Sequence, residues 1–219
     1  MIIPSNLLNI SKEIGPDVTL VAVSKTKPVE DIKIAYDFGQ RNFGENKVQE
    51  LIKKSEELPK DINWHMIGHL QRNKVKYIVP FIHLIHSVDS LRLLKEINKH
   101  AKKQLKKVNV LIQVDISNDD SKFGFSLFEI NDLFEKINYD DYQNILFKGL
   151  MGMASFTSDH NQVEEEFSVL KAIFDELKSI IPYPNSFDCI SMGMSGDYKI
   201  AIKKGSNMIR FGSTIFGSR

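Results

Sequence analysis

The chain has 219 residues, of which 42% are hydrophobic, and a formal net charge of +1. This length suits one large domain or two small ones, and so small a net charge creates no broad field that would attract nucleic acid. Cys189 is the single cysteine, which excludes an intrachain disulfide and leads us to expect a cytoplasmic protein with a buried structural thiol. No apolar run approaches the roughly 20 residues of a transmembrane helix, and the early Pro4 argues against a signal peptide.

Apolar runs of strand length recur along the chain and alternate with segments of helical period. The first run, TLVAVSK, places Val21, Val23 and Lys25 on one face, because side chains alternate across a strand. Seven similar runs follow it. The predicted strands cover residues 19–25, 42–46, 63–68, 82–89, 109–116, 147–153, 188–194 and 208–214.

Amphipathic segments separate these strands, and their apolar residues recur three or four positions apart. The predicted helical faces are Val48, Leu51 and Ile52; Leu91, Leu94, Ile97, Ala101 and Leu105; Leu127, Ile130, Leu133, Phe134 and Ile137; and Val163, Phe167, Leu170, Phe174 and Leu177. Strands and helices that alternate in this way predict an α/β fold, a single (β/α)8 TIM barrel over residues 1–219. A doubly wound open sheet is the alternative, which we disfavour because no G-x-G-x-x-G follows the first strand.

Chemistry in such a barrel is expected at the carboxyl ends of the strands, with phosphate held by the loops after strands seven and eight. Ser195 follows the seventh predicted strand, and Gly212 and Ser213 end the eighth. A glycine lets the backbone approach a ligand closely, and a serine hydroxyl adds a donor. The two loops together predict a phosphate site, although Ser195 by itself is equally well explained as a plain helix N-cap.

Lys25 and Arg210 are the two cations that the strand pattern directs into the barrel. Arg210 shares the face of Gly212, and a guanidinium buried there needs hydrogen-bond acceptors; a solvated or ion-paired arginine is the alternative. A lysine in a site of low dielectric becomes a nucleophile for carbonyls. Because the first and last strands of a closed barrel are neighbours, Lys25 should meet the phosphate loops and form a Schiff base with a phosphorylated aldehyde. Pyridoxal 5′-phosphate (PLP) has both groups and a ring nitrogen that can accept a bond from Arg210.

Other polar residues are weaker candidates. His65 and His69 are four residues apart, but Gly68 breaks the helical spacing and no carboxylate lies between them, so no metal site is predicted. His65 and Asn46 are instead candidates for the barrel mouth. The lysine-rich segment 98–107 is typical of a solvated helix face, so no nucleic-acid partner is predicted.

Seven segments of the chain resemble one family, the pyridoxal phosphate homeostasis proteins, which are similar to the N-terminal barrel domain of alanine racemase. The resemblance implies that Lys25 forms the Schiff base, that Ser195, Gly212 and Ser213 bind the phosphate, and that Arg210 faces the pyridine nitrogen. Many members have threonine at the position of Ser213, and the hydroxyl is kept. The segments are VAVSKTKP, FGENKVQE, WHMIGHLQRNK, IHSVDS, VLIQVDISNDDSKFGF, LMGMA and SMGMSGDYKIAIKKGSNMIRFGSTIFG.

The resemblance also implies a function, the binding of PLP and the balance of vitamin B6 and amino-acid pools. An arginine at the pyridine nitrogen only donates, so it leaves the ring unprotonated and a poor electron sink. Alanine racemase adds a second acid/base from a C-terminal domain, whereas the barrel uses all 219 residues here, so we expect no such domain. We expect a PLP-binding protein that is not an enzyme; the alternatives are a single-domain racemase or other weak PLP enzyme and, more remotely, a Schiff-base aldolase. The expected partners are PLP and apo-enzymes that need it, and the expected state is a monomer or weak dimer.

Overall fold

The computed structural model describes residues 2–117 and 123–217 of the chain. Residues 118–122, which belong to the VLIQVDISNDDSKFGF segment, lie outside the described residues, as do Met1, Ser218 and Arg219. A single domain is predicted over residues 1–219, and the structural statements that follow concern residues 2–117 and 123–217 of it.

Eight parallel strands close into a barrel in which each strand pairs with the next along the chain and β1 pairs with β8. All eight predicted strands and the TIM barrel are confirmed, and the open sheet is excluded by the pairing of β1 with β8. The strands are β1 Thr19–Val23, β2 Asn42–Glu45, β3 Asn63–Met66, β4 Leu84–Val88, β5 Val108–Val114, β6 Ile145–Gly152, β7 Cys189–Met194 and β8 Met208–Phe211.

Helices connect the strands and surround the barrel. The four predicted helices are confirmed as α3, α5, α6 and α7. Two short 3₁₀ turns, Arg72–Lys74 and Tyr139–Tyr142, complete the described elements. The helices are α1 Ile2–Ile14, α2 Val29–Asp37, α3 Val48–Glu57, α4 Val75–Ile78, α5 Leu91–Lys103, α6 Leu127–Lys136, α7 His160–Ile180, α8 Tyr198–Lys203 and α9 Ser213–Phe216.

Two details of the helices differ from the sequence interpretation. Leu105 was expected on the apolar face of α5, but α5 ends at Lys103, and Leu105 has a φ of 52° and is 94% exposed. Helices α2, α4 and α9 were not predicted, and neither was the amino-terminal helix α1. Pro4 lies in its first turn, where a missing N–H breaks no helical hydrogen bond.

The main apolar core lies between the strands and the helices. Phe43 of β2 and Trp64 of β3 point into this layer, with their ring centroids 6.1 Å apart. A smaller apolar cluster contains Leu84, Leu111 and Cys189. The predicted burial of Cys189 is confirmed, since it is 9% exposed, and burial raises the pKa of its thiol to about 12. None of the described helices is long and apolar enough to cross a membrane.

Candidate functional site

Lys25 lies in a turn directly after β1, at the carboxyl end of the barrel. The strand ends at Val23, two residues earlier than predicted, and the N–H of Lys27 donates to the carbonyl of Ser24 at 3.0 Å to close the turn. Thr26 has a φ of 65°, in the left-handed region that a β-branched residue seldom adopts. Val21 and Val23 are buried and Lys25 is half-buried. Lys25 therefore lies at the edge of the barrel mouth, directly after a buried strand.

A cavity of about 240 Å³ lies between the end of β1 and the end of β8. Lys25, Gly212 and Ser213 all line it, which is the convergence expected of neighbouring strands in a closed barrel. A Cβ added to Gly212 would lie 3.5 Å from the Cβ of Val23, an ordinary contact, and would take up space beside the cavity. The full lining is Val23, Lys25, Thr26, Lys27, Gly212, Ser213 and Gly217.

The β8 side of this cavity is rich in hydrogen-bond donors. Gly212 is the N-cap of α9 and Ser213 its first residue. Ile215 is the first residue of α9 whose N–H bonds within the helix, to the carbonyl of Gly212, so the earlier N–H groups have no intrahelical acceptor. These donors suit an anion.

Ser195 lies in the turn between β7 and α8 and is exposed. It does not line the 240 Å³ cavity. The N-cap of α8 is Asp197, so the simple N-cap explanation of Ser195 is wrong. The Asp197 carboxylate accepts from the N–H of Met194 at 2.6 Å, and burial raises the pKa of Asp197. A phosphate contact from Ser195 stays a prediction.

Arg210 projects from β8 into the barrel and is only 5% exposed. Its Nη1 donates to the carbonyl and the hydroxyl of Ser191 at 2.9 and 2.5 Å, and its Nη2 donates to the carbonyl of Gly152 at 3.2 Å. The predicted need for acceptors is thus confirmed, and the solvated alternative is wrong. Burial lowers the pKa of Arg210 to about 10, so the guanidinium stays charged at neutral pH.

A chain of buried polar side chains continues from Arg210 through the barrel interior. Ser191 Oγ lies 3.1 Å from His86 Nδ1, and His86 Nε2 lies 2.9 Å from His65 Nδ1. His65 Nε2 is in turn 3.1 Å from Asn42 Oδ1. Arg210 can only donate, so the Ser191 hydroxyl accepts from it and donates to His86. Both histidines are then neutral, with the proton on Nε2. His86 donates to His65, and His65 donates to Asn42 Oδ1.

The acid–base behaviour of the two histidines agrees with this assignment. Burial, with a smaller contribution from His83, lowers the pKa of His65 to about 3. Burial, followed by the neighbouring His65 and Arg210, holds the pKa of His86 well below 6.5. Both rings are fully buried, so protonation would place an extra charge in the barrel interior.

His65 does not line the barrel mouth as expected. It is fully buried, and both of its ring nitrogens are used inside the barrel, because the alternation of β3 turns Trp64 outward and His65 inward. Asn46 does follow β2 at the carboxyl end and is half-buried. Its carbonyl would lie 2.5 Å from a Cβ on Gly68, so that glycine allows the two loops to pack together.

The other histidine of the HMIGH segment makes a simple pair. His69 Nδ1 lies 2.8 Å from Asp89 Oδ2 at the protein surface. Within residues 2–117 and 123–217, no group of three or more His, Cys, Asp or Glu side chains is placed to hold a metal ion.

The sequence of the chain is similar to that of a well-populated family. Residues 3–219 match the family model of the alanine racemase N-terminal domain. The pyridoxal phosphate homeostasis protein of Schizosaccharomyces pombe is 40% identical over 211 residues, which cover 94% of this chain and 86% of that protein. The human protein of the same name is 39% identical over 210 residues, covering 91% of this chain and 76% of the human one.

Solved structures show the same architecture. PipY of Synechococcus elongatus without PLP has a TM-score of 0.92 and 33% identity, and PipY with PLP bound has 0.89 and 32%; each comparison covers 98% of this chain and 100% of PipY. Alanine racemase of Bartonella henselae, at 18% identity, shares the fold with a TM-score of 0.73 over 99% of this chain and 58% of the racemase. This chain therefore belongs to the family of pyridoxal phosphate homeostasis proteins, which is built on the alanine racemase N-terminal domain.

Proposed function

We propose that the chain binds PLP as a Schiff base on Lys25 and acts in the homeostasis of PLP and amino acids. The observation that carries this proposal is that Lys25 shares one cavity with Gly212 and Ser213. The names of the relatives support it, and so does the PipY structure with PLP bound. In this reaction the neutral amine of Lys25 and the aldehyde form a C=N bond and release one water.

The residues present suit the phosphate and the pyridine nitrogen of PLP. The Ser213 hydroxyl and the N–H groups that open α9 are donors for the phosphate. Arg210 uses three of its five N–H hydrogens on Ser191 and Gly152, which leaves two for the pyridine nitrogen. Arg210 itself does not line the 240 Å³ cavity, so its contact with the ring is a prediction that the spectra below test. When bound, PLP supplies a conjugated imine that absorbs at the edge of the visible range.

The surroundings of Arg210 favour binding over turnover. Its pKa of about 10 means that it remains a pure donor at neutral pH and does not protonate the pyridine nitrogen, so the ring withdraws electrons weakly. A single-domain racemase is the competing function, and steady turnover of an amino acid at ordinary enzymatic rates would establish it. Delivery of PLP to apo-enzymes, a cytoplasmic location and a monomeric or weakly dimeric state stay predictions.

Absorbance spectra of the purified protein with saturating PLP test the proposal. We expect the imine band in the wild type and in Lys27→Ala, a matched control because Lys27 lines the same cavity, and no such band in Lys25→Ala. Reduction with borohydride, followed by peptide mass analysis, should place the pyridoxyl group on Lys25. An unchanged imine band in Lys25→Ala would refute the assignment. Arg210→Ala should keep the imine but shift its spectrum, and the absence of a shift would mean that Arg210 does not contact the ring.

A further inference from the structure

A buried charged cluster lies beneath the turn that carries Lys25. This cluster, the Lys54 cluster, comprises Ser24, Glu45, Glu50 and Lys54. Ser24 and Glu45 are fully buried and Lys54 is 4% exposed. Lys54 Nζ lies 2.8 Å from Glu45 Oε1 and 2.6 Å from Glu50 Oε1. One ammonium thus joins two carboxylates between β2 and α3, outside the barrel interior.

The Lys54 cluster holds both neighbours of Lys25. On one side, Lys54 Nζ donates to the carbonyl of Ser24 at 2.8 Å, and the Ser24 hydroxyl donates to Glu45 Oε1 at 2.6 Å. On the other side, the N–H of Thr26 donates to Glu50 Oε1 at 2.7 Å. Because Lys54 contacts the carboxylates of both Glu45 and Glu50, the bonds to Ser24 and to Thr26 belong to one connected network.

The turn needs such support because of its backbone conformation. The φ of 65° at Thr26 lies in a region that residues other than glycine seldom adopt, and such a conformation persists only where the surroundings hold it. A hydrogen bond to a carboxylate is among the stronger ones in proteins. The bond to Glu50 is therefore suited to keep Thr26, and with it Lys25, in one orientation.

Stability alone explains the Lys54 cluster poorly. Burying an ion pair costs desolvation, and well-packed apolar side chains of similar volume are often as stabilising. Glu45 Oε2 is buried without a hydrogen-bond partner among the described residues, and burial raises the pKa of Glu45. The residues that the cluster orders directly are Ser24 and Thr26, on either side of Lys25.

We propose that Lys54 and Glu50 are positioning residues for Lys25, which hold the Ser24–Thr26 turn so that the amine of Lys25 faces the bound aldehyde. Neither residue lines the 240 Å³ cavity, so each acts through the turn and not by touching a ligand. This inference rests on the proposed Schiff base at Lys25.

Two ligands separate positioning of the amine from general shaping of the site. PLP reports imine formation by absorbance, whereas pyridoxine 5′-phosphate has the same ring and phosphate but no aldehyde. In Lys54→Met, we expect the apparent affinity for PLP to fall roughly tenfold or more, because the turn loses a hydrogen bond from a charged group. The affinity for pyridoxine 5′-phosphate should stay close to that of the wild type. Lys53→Met is the matched control, because Lys53 is the adjacent residue and its side chain is 77% exposed; both affinities should stay unchanged.

A second variant keeps the test decisive if Lys54→Met does not fold, since it leaves Glu45 buried without its partner. Glu50→Ala removes the acceptor of the Thr26 N–H at the more exposed end of the cluster, where the Glu50 side chain is 24% exposed, and should show the same split between the two ligands. Equal losses for both ligands, or a normal imine in the folded variants, would overturn the positioning role. No imine in the wild type would overturn the proposed function itself.

Discussion

Acidification from about pH 7.5 to about pH 5 should destabilise the fold through His65 and His86. Both rings are fully buried, and the folded protein lowers the pKa of His65 to about 3 and that of His86 well below 6.5. The unfolded chain, where imidazole titrates near its ordinary pKa, therefore binds protons that the folded chain does not. The stability is fully present above about pH 6.5 and is lost progressively as the pH falls from there towards the folded pKa values.

The size of the effect follows from the gap between the chosen pH and the ordinary pKa of imidazole. At about pH 5 that gap is about 1.5, and at about 1.36 kcal/mol per pH unit it corresponds to a loss of about 2 kcal/mol for His65, whose folded pKa of about 3 lies well below that pH. His86 acts in the same direction, so the free energy of unfolding should fall by more than about 2 kcal/mol. That is a large part of the ~5–15 kcal/mol typical of a folded protein.

Urea denaturation at the two pH values measures this loss. Trp64, the single tryptophan, is 3% exposed, and its fluorescence reports unfolding of the barrel. His65→Gln should lose about 2 kcal/mol less than the wild type between the two pH values, and His86→Gln should also lose less than the wild type. His160→Gln, at an exposed position of α7, should follow the wild type. Equal losses in the wild type and in both interior variants would refute the buried neutral pair.

Two further outcomes follow from the barrel wall. Gly149→Ala should lower the free energy of unfolding by roughly 2 kcal/mol or more, because Gly149 has a φ of 147° and an added Cβ would lie 1.8 Å from the carbonyl oxygen of Cys189. Gly196→Ala is the control, since no atom lies within 4 Å of the added Cβ. Similar urea midpoints for the two variants would contradict the clash at Gly149. Cys189, whose pKa is raised to about 12, should react with iodoacetamide only after unfolding, and rapid alkylation of the native protein, followed by mass spectrometry, would show that its thiol is accessible.

Much of the site follows from local patterns in the sequence. Alternation along TLVAVSK places Val21 and Val23 in the barrel wall, and the closure of eight strands brings the end of β1 to the end of β8. Lys25 therefore had to approach Gly212 and Ser213, because strand ends that are adjacent in a barrel are adjacent in space. These steps need only the period of each element and the order of elements along the chain.

Some missed features also had a local signal. The buried residues Ile3, Leu7, Ile10 and Ile14 of α1 follow the helical period, which was sufficient to predict that helix. His86 lies two residues after Leu84 in the strand LIHSV, and the alternation of side chains places both residues on the face that points into the barrel. The left-handed conformation of Thr26 could not be predicted from the sequence, because such a φ is usually found at glycine or asparagine.

The sequence by itself determined where the strands lie and favoured a closed barrel in which Lys25 meets the β8 loop, since both depend on local periodicity and chain order. Closure itself was decided by the pairing of β1 with β8. Only the tertiary structure decided which side chains bond across the barrel. The contact between His86 and Ser191 joins residues 105 positions apart on β4 and β7, strands that are not neighbours in the barrel. Such a contact depends on the relative heights of the strands and on the space between them, and neither quantity is encoded in the period of any single segment.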